Sequence, residues 1–306
     1  MATGPLQGEK ILVTGATGAA ALPVAKFLAR DNEVFGAARF TDPRLREELE
    51  NAGVKIARID LESNDLEAIP DDISIVLHYA YTRRPSHEFY DAIQVNSIAA
   101  GHVLKKCQNA RAALIISAAT LYSVHEDPYH PYHEDDDIGF VRAPWGPSSP
   151  VSKVTLESTA RFCAEAFDLP ITIVRPSVPY GLSVDMTTVV LDAVWNETPV
   201  FANHAPQPYS LIHIGDMCDQ IPALLEAASV PATLVNWASD EVFSLQEMAA
   251  LAGEIFGKTP IFQISNLPGV ANGGVVDTTR VRKIVGPCKR SFRDEFVRAC
   301  KARVSA

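Results

Sequence analysis

Ser149 and Lys153 hold the spacing of a Tyr-x-x-x-Lys acid–base pair, with a serine where the phenol would stand. A phenol whose pKa is lowered by a neighbouring ammonium passes a proton to or from a reacting oxygen near neutral pH. A serine hydroxyl is far less acidic, and Lys153 alone does not bring it into that range. Ser149 is therefore a poor like-for-like replacement. A hydrolytic Ser–Lys pair is disfavoured too, because no oxyanion-hole signature accompanies it. Other groups could supply the proton. Tyr122, His125, Tyr129, His130, Tyr132 and His133 crowd one stretch, and Tyr79 and Tyr81 follow an apolar run. Tyr122 and Tyr81 are the best placed, at strand ends where open α/β sheets bind ligands. The remainder of the crowded stretch is expected to be solvated. The three histidines lie beside the acids Glu134 to Asp137, yet they lack the fixed ligand spacing of a zinc site, so no metal is expected.

A second constellation binds rather than reacts. Lys10-Ile11-Leu12-Val13-Thr14 is a short apolar run ending at Gly15, and Leu22 to Ala29 has helical spacing. Between them lies Gly15-Ala16-Thr17-Gly18-Ala19-Ala20-Ala21, a strand–turn–helix junction. Such a junction aims backbone N–H groups and a helix dipole at a pyrophosphate. Gly15 permits the tight turn, Gly18 lets the backbone approach the phosphates, and Ala21 replaces a third glycine. Thr17, Ala19 and Ala20 complete the expected phosphate contacts. The next strand, Glu33 to Ala38, ends in Arg39, with no Asp or Glu from Gly36 through Phe40. A guanidinium suits a 2′-phosphate, whereas an acid would suit a free ribose hydroxyl. NADP is therefore expected ahead of NAD, the alternative being that Asp42 serves the ribose.

Those residues need a scaffold, and the chain has one. Apolar strands recur at Val54–Arg58, Ile73–Leu77, Ala112–Ser117 and Ile171–Arg175. Helical patterns run from about Glu88 to Cys107 and from about Ser152 to Ala166. Alternation of this kind predicts an α/β fold, a parallel sheet covered on both faces. The stretch from Val124 to Pro150 reads as a long loop. With 306 residues, 47% hydrophobic, the chain can bury a large core. A net charge of −10 argues against nucleic acid or an anionic membrane as partner. No apolar run reaches membrane-spanning length, and Met1 to Glu9 is too short and polar for a signal peptide. Five scattered cysteines without a C-x-x-C indicate neither a disulfide framework nor zinc, and a cytoplasmic protein is expected.

In their order, these pieces resemble an extended short-chain dehydrogenase/reductase of the NAD(P)-dependent epimerase/dehydratase type. The resemblance spans nearly the whole chain. It rests on Thr14-Gly15-Ala16-Thr17-Gly18, Asp60-Leu61, His78-Tyr79-Ala80, Asn96, Lys153 with Glu157, Arg175 to Gly181, His213 to Asp216, Val235-Asn236-Trp237 and Asp277 to Arg280. It implies a Rossmann doubly wound parallel sheet over 1–175, with 209–237 returning to it. A smaller substrate-binding domain would comprise 176–208 and 238–306. It also implies that Asp60 and Leu61 lie by the adenine, and that Tyr79, Ala80 and Tyr81 line the substrate side. Asn96 and Ser117 join the cofactor set, Lys153 would hold the nicotinamide ribose, and Pro176 to Val178 would flank the nicotinamide. A homodimer through the two helical stretches is the family's usual assembly.

The departures from that family are chemical. The tyrosine expected four residues before Lys153 is Ser149. In the segment after the fifth strand, Tyr122 is followed by Ser123 rather than glycine, and Ala118 stands where Ser or Thr would touch a substrate oxygen. Ser117 and Thr120 are near, but a one-residue shift in an extended segment turns a side chain to the other face. Three functions stay open. The first is an NADP(H)-dependent oxidoreductase acting on a small carbonyl, alcohol or activated alkene with a non-standard proton donor. The second is a non-redox isomerase, lyase or cyclase with a structural cofactor. The third is a non-catalytic NADP-binding sensor. Fold alone does not choose among them.

Overall fold

The computed structural model describes residues 6–85 and 88–305; the first five residues of the stretch read as lacking a signal peptide lie outside these. Two compact units divide the chain. The first comprises 1–118, 145–175 and 217–235, the second 119–144, 176–216 and 236–306. Residues 119–144, 209–216 and 236–237, assigned to the nucleotide-binding domain on sequence, thus cluster with the second unit. The reason for 119–144 is hydrogen bonding. Tyr122 donates to Asn236, the Asn236 N–H donates to Glu134, and the Asn236 amide donates to the Tyr132 carbonyl.

The first unit is built on β1 (Lys10–Thr14), β2 (Glu33–Ala38), β3 (Lys55–Arg58), β4 (Ile75–His78), β5 (Ala112–Ile116) and β6 (Ile171–Pro176). A seventh strand comes from 233–237, and the sheet order from that edge is this strand, then β6-β5-β4-β1-β2-β3. Every pair from β6 to β3 is parallel. The strands lack polar alternation because both faces are covered; β4 and β6 are buried throughout. The helices of this unit are α1 (Ala21–Leu28), α2 (Pro43–Asn51), α3 (Phe89–Ile93), α4 (Ala99–Lys106) and α5 (Ser149–Phe167). One face of the core joins Leu12, Val76 and Ile115 of the sheet to Val103 and Leu104 of α4 and Leu156 of α5.

Two helical details depart from the periodicity. The expected Glu88–Cys107 helix is interrupted by a π-helical turn, Gln94–Ile98, between α3 and α4. And α5 begins at Ser149, three residues before the pattern suggests. Pro150 falls in the first turn, where its missing N–H has no helical partner to lose.

The second unit holds β7 (Val178–Tyr180), α6 (Met186–Trp195), β8 (Val200–Ala202), β9 (Pro208–His213), β11 (Val242–Ser244), α8 (Leu245–Phe256) and β12 (Phe262–Ile264). It also holds α9 (Thr279–Val285) and α10 (Phe292–Ser305). The α7 helix (Ile214–Glu226) and β10 (Thr233–Trp237) carry the chain back to the first unit. A three-stranded sheet of order β11-β9-β7 and a two-stranded β12-β8 pair lie with α6, α8 and α10 around Met248, Phe292 and Phe296. Among the described residues no helix is long and apolar enough to cross a membrane. All five cysteines are free thiols.

Candidate functional site

The parallel sheet reverses its winding between β1 and β4, and open α/β sheets bind ligands in the crevice at such a point. Gly15 leaves β1 with φ +65°, a conformation that glycine adopts without strain. A Cβ on it would meet the Ala80 Cα at 2.7 Å and the Ala80 nitrogen at 2.9 Å, so the loops after β1 and β4 are in backbone contact. Thr14 joins them as well, since its Oγ1 accepts the Ala80 N–H at 3.2 Å and lies 3.0 Å from His78 Nδ1. Burial holds the His78 imidazole down to about 3, with the Lys153 charge adding to the effect, so it stays neutral at physiological pH. No side chain caps α1; its Leu22 N–H is taken by the Gly18 carbonyl at 2.9 Å and Pro23 has none, so what the helix start offers an anion is chiefly its dipole.

A cavity of about 230 Å³ opens there, floored by Gly15, Thr17 and Gly18, with Arg39, Asp60 and Leu61 at one end and Tyr79, Ala80 and Tyr81 at the other. Ala19 and Ala20 stand at the start of α1 without lining it. The polar floor and the uncapped helix fit the phosphates of a dinucleotide, and Arg39, Asp60 and Leu61 would take its adenosine end. Glu62 is a site residue that motif reading overlooks. Its carboxylate lies 3.4 Å from Arg39 Nη1 and also binds Arg84. Arg39 therefore has an acid beside it, supplied by the loop after β3 rather than by its own strand.

Lys153 is buried on α5. Its Nζ donates to the Ile116 carbonyl at 2.7 Å and stands 4.6 Å from the centroid of the Tyr81 ring, a cation–π contact. Burial pushes its ammonium down to about 8, with Glu157 pulling the other way. Ser149 lies one turn earlier, beside the Tyr81 phenol. Burial raises that phenol above its ordinary range, and Ser149 and the Arg83 charge oppose the rise. The Tyr81 hydroxyl has no partner within full hydrogen-bond geometry.

Several expected residues are engaged elsewhere. The Ser117 hydroxyl donates to Glu157 at 2.6 Å, and Arg175 grips the same carboxylate with two bonds of 2.8 Å, all three residues buried. Asn96 accepts the Thr82 N–H at 2.7 Å and donates to the Thr82 carbonyl at 2.9 Å, so both ends of its amide hold backbone. In the second unit, the buried Tyr122 ring stacks on Tyr132 at 4.9 Å while its hydroxyl donates to Asn236 at 2.6 Å. Tyr132 is itself buried, contrary to the expectation of a solvated side chain, because that stack covers it. His125 and His130 stack on one another at 3.9 Å, and His130 pairs with Asp136. Among the described residues no group of three or more His, Cys, Asp or Glu could hold a metal. Thr120 is exposed. Pro176 and Val178, expected by the nicotinamide, belong to the second unit.

The family model for the NAD dependent epimerase/dehydratase family matches residues 11–236. No curated protein matches in sequence. Solved structures are similar over nearly the full length. UDP-glucuronic acid 4-epimerase from Bacillus cereus, in complex with UDP-glucuronic acid and NAD, has 19% identity and a TM-score of 0.80, covering 97% of this chain and 99% of that one. UDP-N-acetylglucosamine 4-epimerase from Methanobrevibacter ruminantium M1 gives 18% identity, a TM-score of 0.80 and coverage of 98% and 99%. UDP-glucose 4-epimerase from Thermus thermophilus, complexed with NAD, gives 19%, 0.77, and coverage of 97% and 99%.

Proposed function

The chain belongs to the NAD dependent epimerase/dehydratase family, and from that premise we propose that it is an NADP(H)-dependent oxidoreductase acting on a small carbonyl, alcohol or activated alkene. Its proton donor is not the residue at position 149. The observation that carries this reading is Lys153, a buried ammonium anchored to the end of β5, in the same unit as the glycine turn and its cavity. A desolvated charge is costly to hold unless a ligand or partner uses it. Lys153 would hold the nicotinamide ribose, and the bound dinucleotide would supply or accept a hydride. Arg39, the Gly15 turn and α1 would hold the other end, and small substrate would enter on the Tyr81 side.

The test is a panel of enones, ketones and nucleotide sugars with each dinucleotide, followed by absorbance. Net consumption of reduced dinucleotide supports the oxidoreductase. Turnover without net consumption would point to isomerase or lyase chemistry instead. Tight binding without turnover on any member leaves a sensor.

Cofactor choice turns on Arg39 and Glu62. An exposed ion pair of this kind contributes about 0–1 kcal/mol, so a 2′-phosphate can displace the Glu62 carboxylate from Arg39. Arg39→Ala is expected to weaken NADPH binding by about 1–3 kcal/mol with little effect on NADH. Glu62→Gln should shift preference further toward NADPH by removing like charge. Nicotinamide fluorescence titration reads both, and equal affinities of the unaltered protein for the two dinucleotides would count against NADP.

We also infer a homodimer. Tyr90 of α3 and Phe162 of α5 are 88% and 67% exposed on two helices that pack together, an apolar face suited to a second copy. Sedimentation should show a dimer that Phe162→Asp dissociates; a monomer at every concentration would refute it.

A further inference from the structure

We propose that Tyr81 is the catalytic phenol of this protein: held over Lys153 by a loop clamped at three points, it gives its proton to the substrate oxygen, the part that a serine at position 149 leaves unfilled. The proposal rests on the oxidoreductase reading above and supplies its missing acid.

Three requirements select Tyr81. A proton donor must face the cavity, must have a hydroxyl with no protein acceptor, and must sit by a charge that stabilises the phenolate as it forms. Tyr122 fails the second, since Asn236 takes its hydroxyl. Tyr79 fails the third. Full burial raises its phenol far above the ordinary range, and Cys218 raises it further. Tyr81 meets all three. It lines the cavity, its hydroxyl has no protein partner in full hydrogen-bond geometry although Ser149 stands beside it, and the Lys153 ammonium lies 4.6 Å from its ring centroid.

The loop that carries it is built to hold one position. On the near side the Ala80 N–H is fixed to Thr14, and beyond it Thr82 is gripped at both N–H and carbonyl by Asn96. Further on, the buried Ser148 hydroxyl accepts from the Arg84 N–H at 3.4 Å and donates to the Arg84 carbonyl at 3.0 Å. Ser148 immediately precedes the first residue of α5, so the helix bearing Lys153 and Ser149 anchors the loop bearing Tyr81. Asn96 and Ser148 are positioning residues in this scheme. Clamps of this sort fix a reacting group within the tolerance that catalysis needs.

The chemistry balances. Burial keeps Tyr81 a neutral phenol at neutral pH, the form that donates. In reduction its O–H bond breaks as an O–H bond forms on the substrate oxygen. A bound reduced dinucleotide would supply the hydride, an electron pair with its hydrogen, that the carbonyl carbon takes up. Lys153, still protonated below about pH 8, stands over the Tyr81 ring, and the Arg83 charge also favours the phenolate. Ser149, partly exposed at the phenol, relays a proton from water to restore it.

The test has two arms, both on the full chain. In the first, Tyr81→Phe should lower kcat on any carbonyl the unaltered protein reduces by about 10²–10⁴-fold while leaving the NADPH dissociation constant within about twofold. Tyr122→Phe should leave kcat within that same twofold. In the second arm, with no dinucleotide present, NMR of isotope-labelled tyrosine follows each phenol with pH. The resonance lost in Tyr81→Phe should titrate higher still in Lys153→Met and in Ser149→Ala. An active protein whose kcat survives Tyr81→Phe, or a Tyr81 resonance indifferent to Lys153, overturns the proposal and leaves the oxidoreductase reading intact. A protein that binds NADPH and reduces nothing, with the resonance shifts as expected, overturns the oxidoreductase reading and the proton donation with it.

Discussion

Glu157→Ala is expected to lower the unfolding free energy by about 3–5 kcal/mol, since removing one partner of a buried, fully hydrogen-bonded ion pair strands the other charge away from water. Glu157 and Arg175 are 4% and 2% exposed, bound through two contacts of 2.8 Å, and Ser117 adds a third bond at 2.6 Å. The loss is large beside the roughly 5–15 kcal/mol that holds most domains folded. Urea titration should show the midpoint falling. Glu157→Met with Arg175→Met should regain most of it, because an apolar pair of similar volume removes both desolvation costs. If the single change moved the midpoint by no more than a surface substitution would, the ion pair would not be a determinant of stability.

Lys153→Met should do two opposite things. Dinucleotide affinity should fall by about 1–3 kcal/mol with the loss of charge-assisted hydrogen bonds to the ribose. Stability of the ligand-free protein at pH 7 should rise. The folded pKa of Lys153, about 8, lies below the ordinary lysine value of 10.5. Below about pH 8 both states carry the proton and the full cost of the buried ammonium is present. Between about 8 and 10.5 the unfolded state binds more protons, so stability climbs with pH as that cost disappears. The shift corresponds to roughly 3 kcal/mol, reduced by the lost contact with Tyr81 and the lost bond to Ile116. A net gain of about 1–2 kcal/mol at pH 7 that falls through zero and turns into a loss of about 1–2 kcal/mol by pH 10.5 is the expected result of melts across that range. A variant that is less stable at pH 7 and binds NADPH unchanged would make Lys153 a structural residue.

The scaffold was legible because it is written in short-range patterns. The β1 run, the Gly15 turn and the helix after it announce one another within twenty residues, and the apolar strands declare a sheet covered on both faces. What stayed hidden depends on partners far along the chain. Asn96 and Ser117 have the chemistry of cofactor ligands, but Thr82 and Glu157 claim them, 14 and 40 residues away. Tyr122 looked available until Asn236, 114 residues on, took its hydroxyl. Glu62 is 23 residues from Arg39, and nothing in the intervening sequence says that the two meet. Pro150 illustrates the local limit: the same residue that ends one helix starts another, and only the first-turn geometry of α5 tells which.

The π-helical turn at 94–98 bears on how such a site could arise. In it, consecutive residues Asn96 and Ser97 are both buried, Asn96 on the Thr82 backbone and Ser97 on the Thr159 hydroxyl at 2.8 Å. Neighbours on an ordinary α-helix point about 100° apart, and the wider turn is what one inserted residue produces. A lineage that lost one residue between 94 and 98 would recover a regular helix and keep its sheet, its glycine turn and its lysine. It would release the strap that carries Tyr81. A single-codon deletion in this turn would thus separate the scaffold from the strap mounted on it.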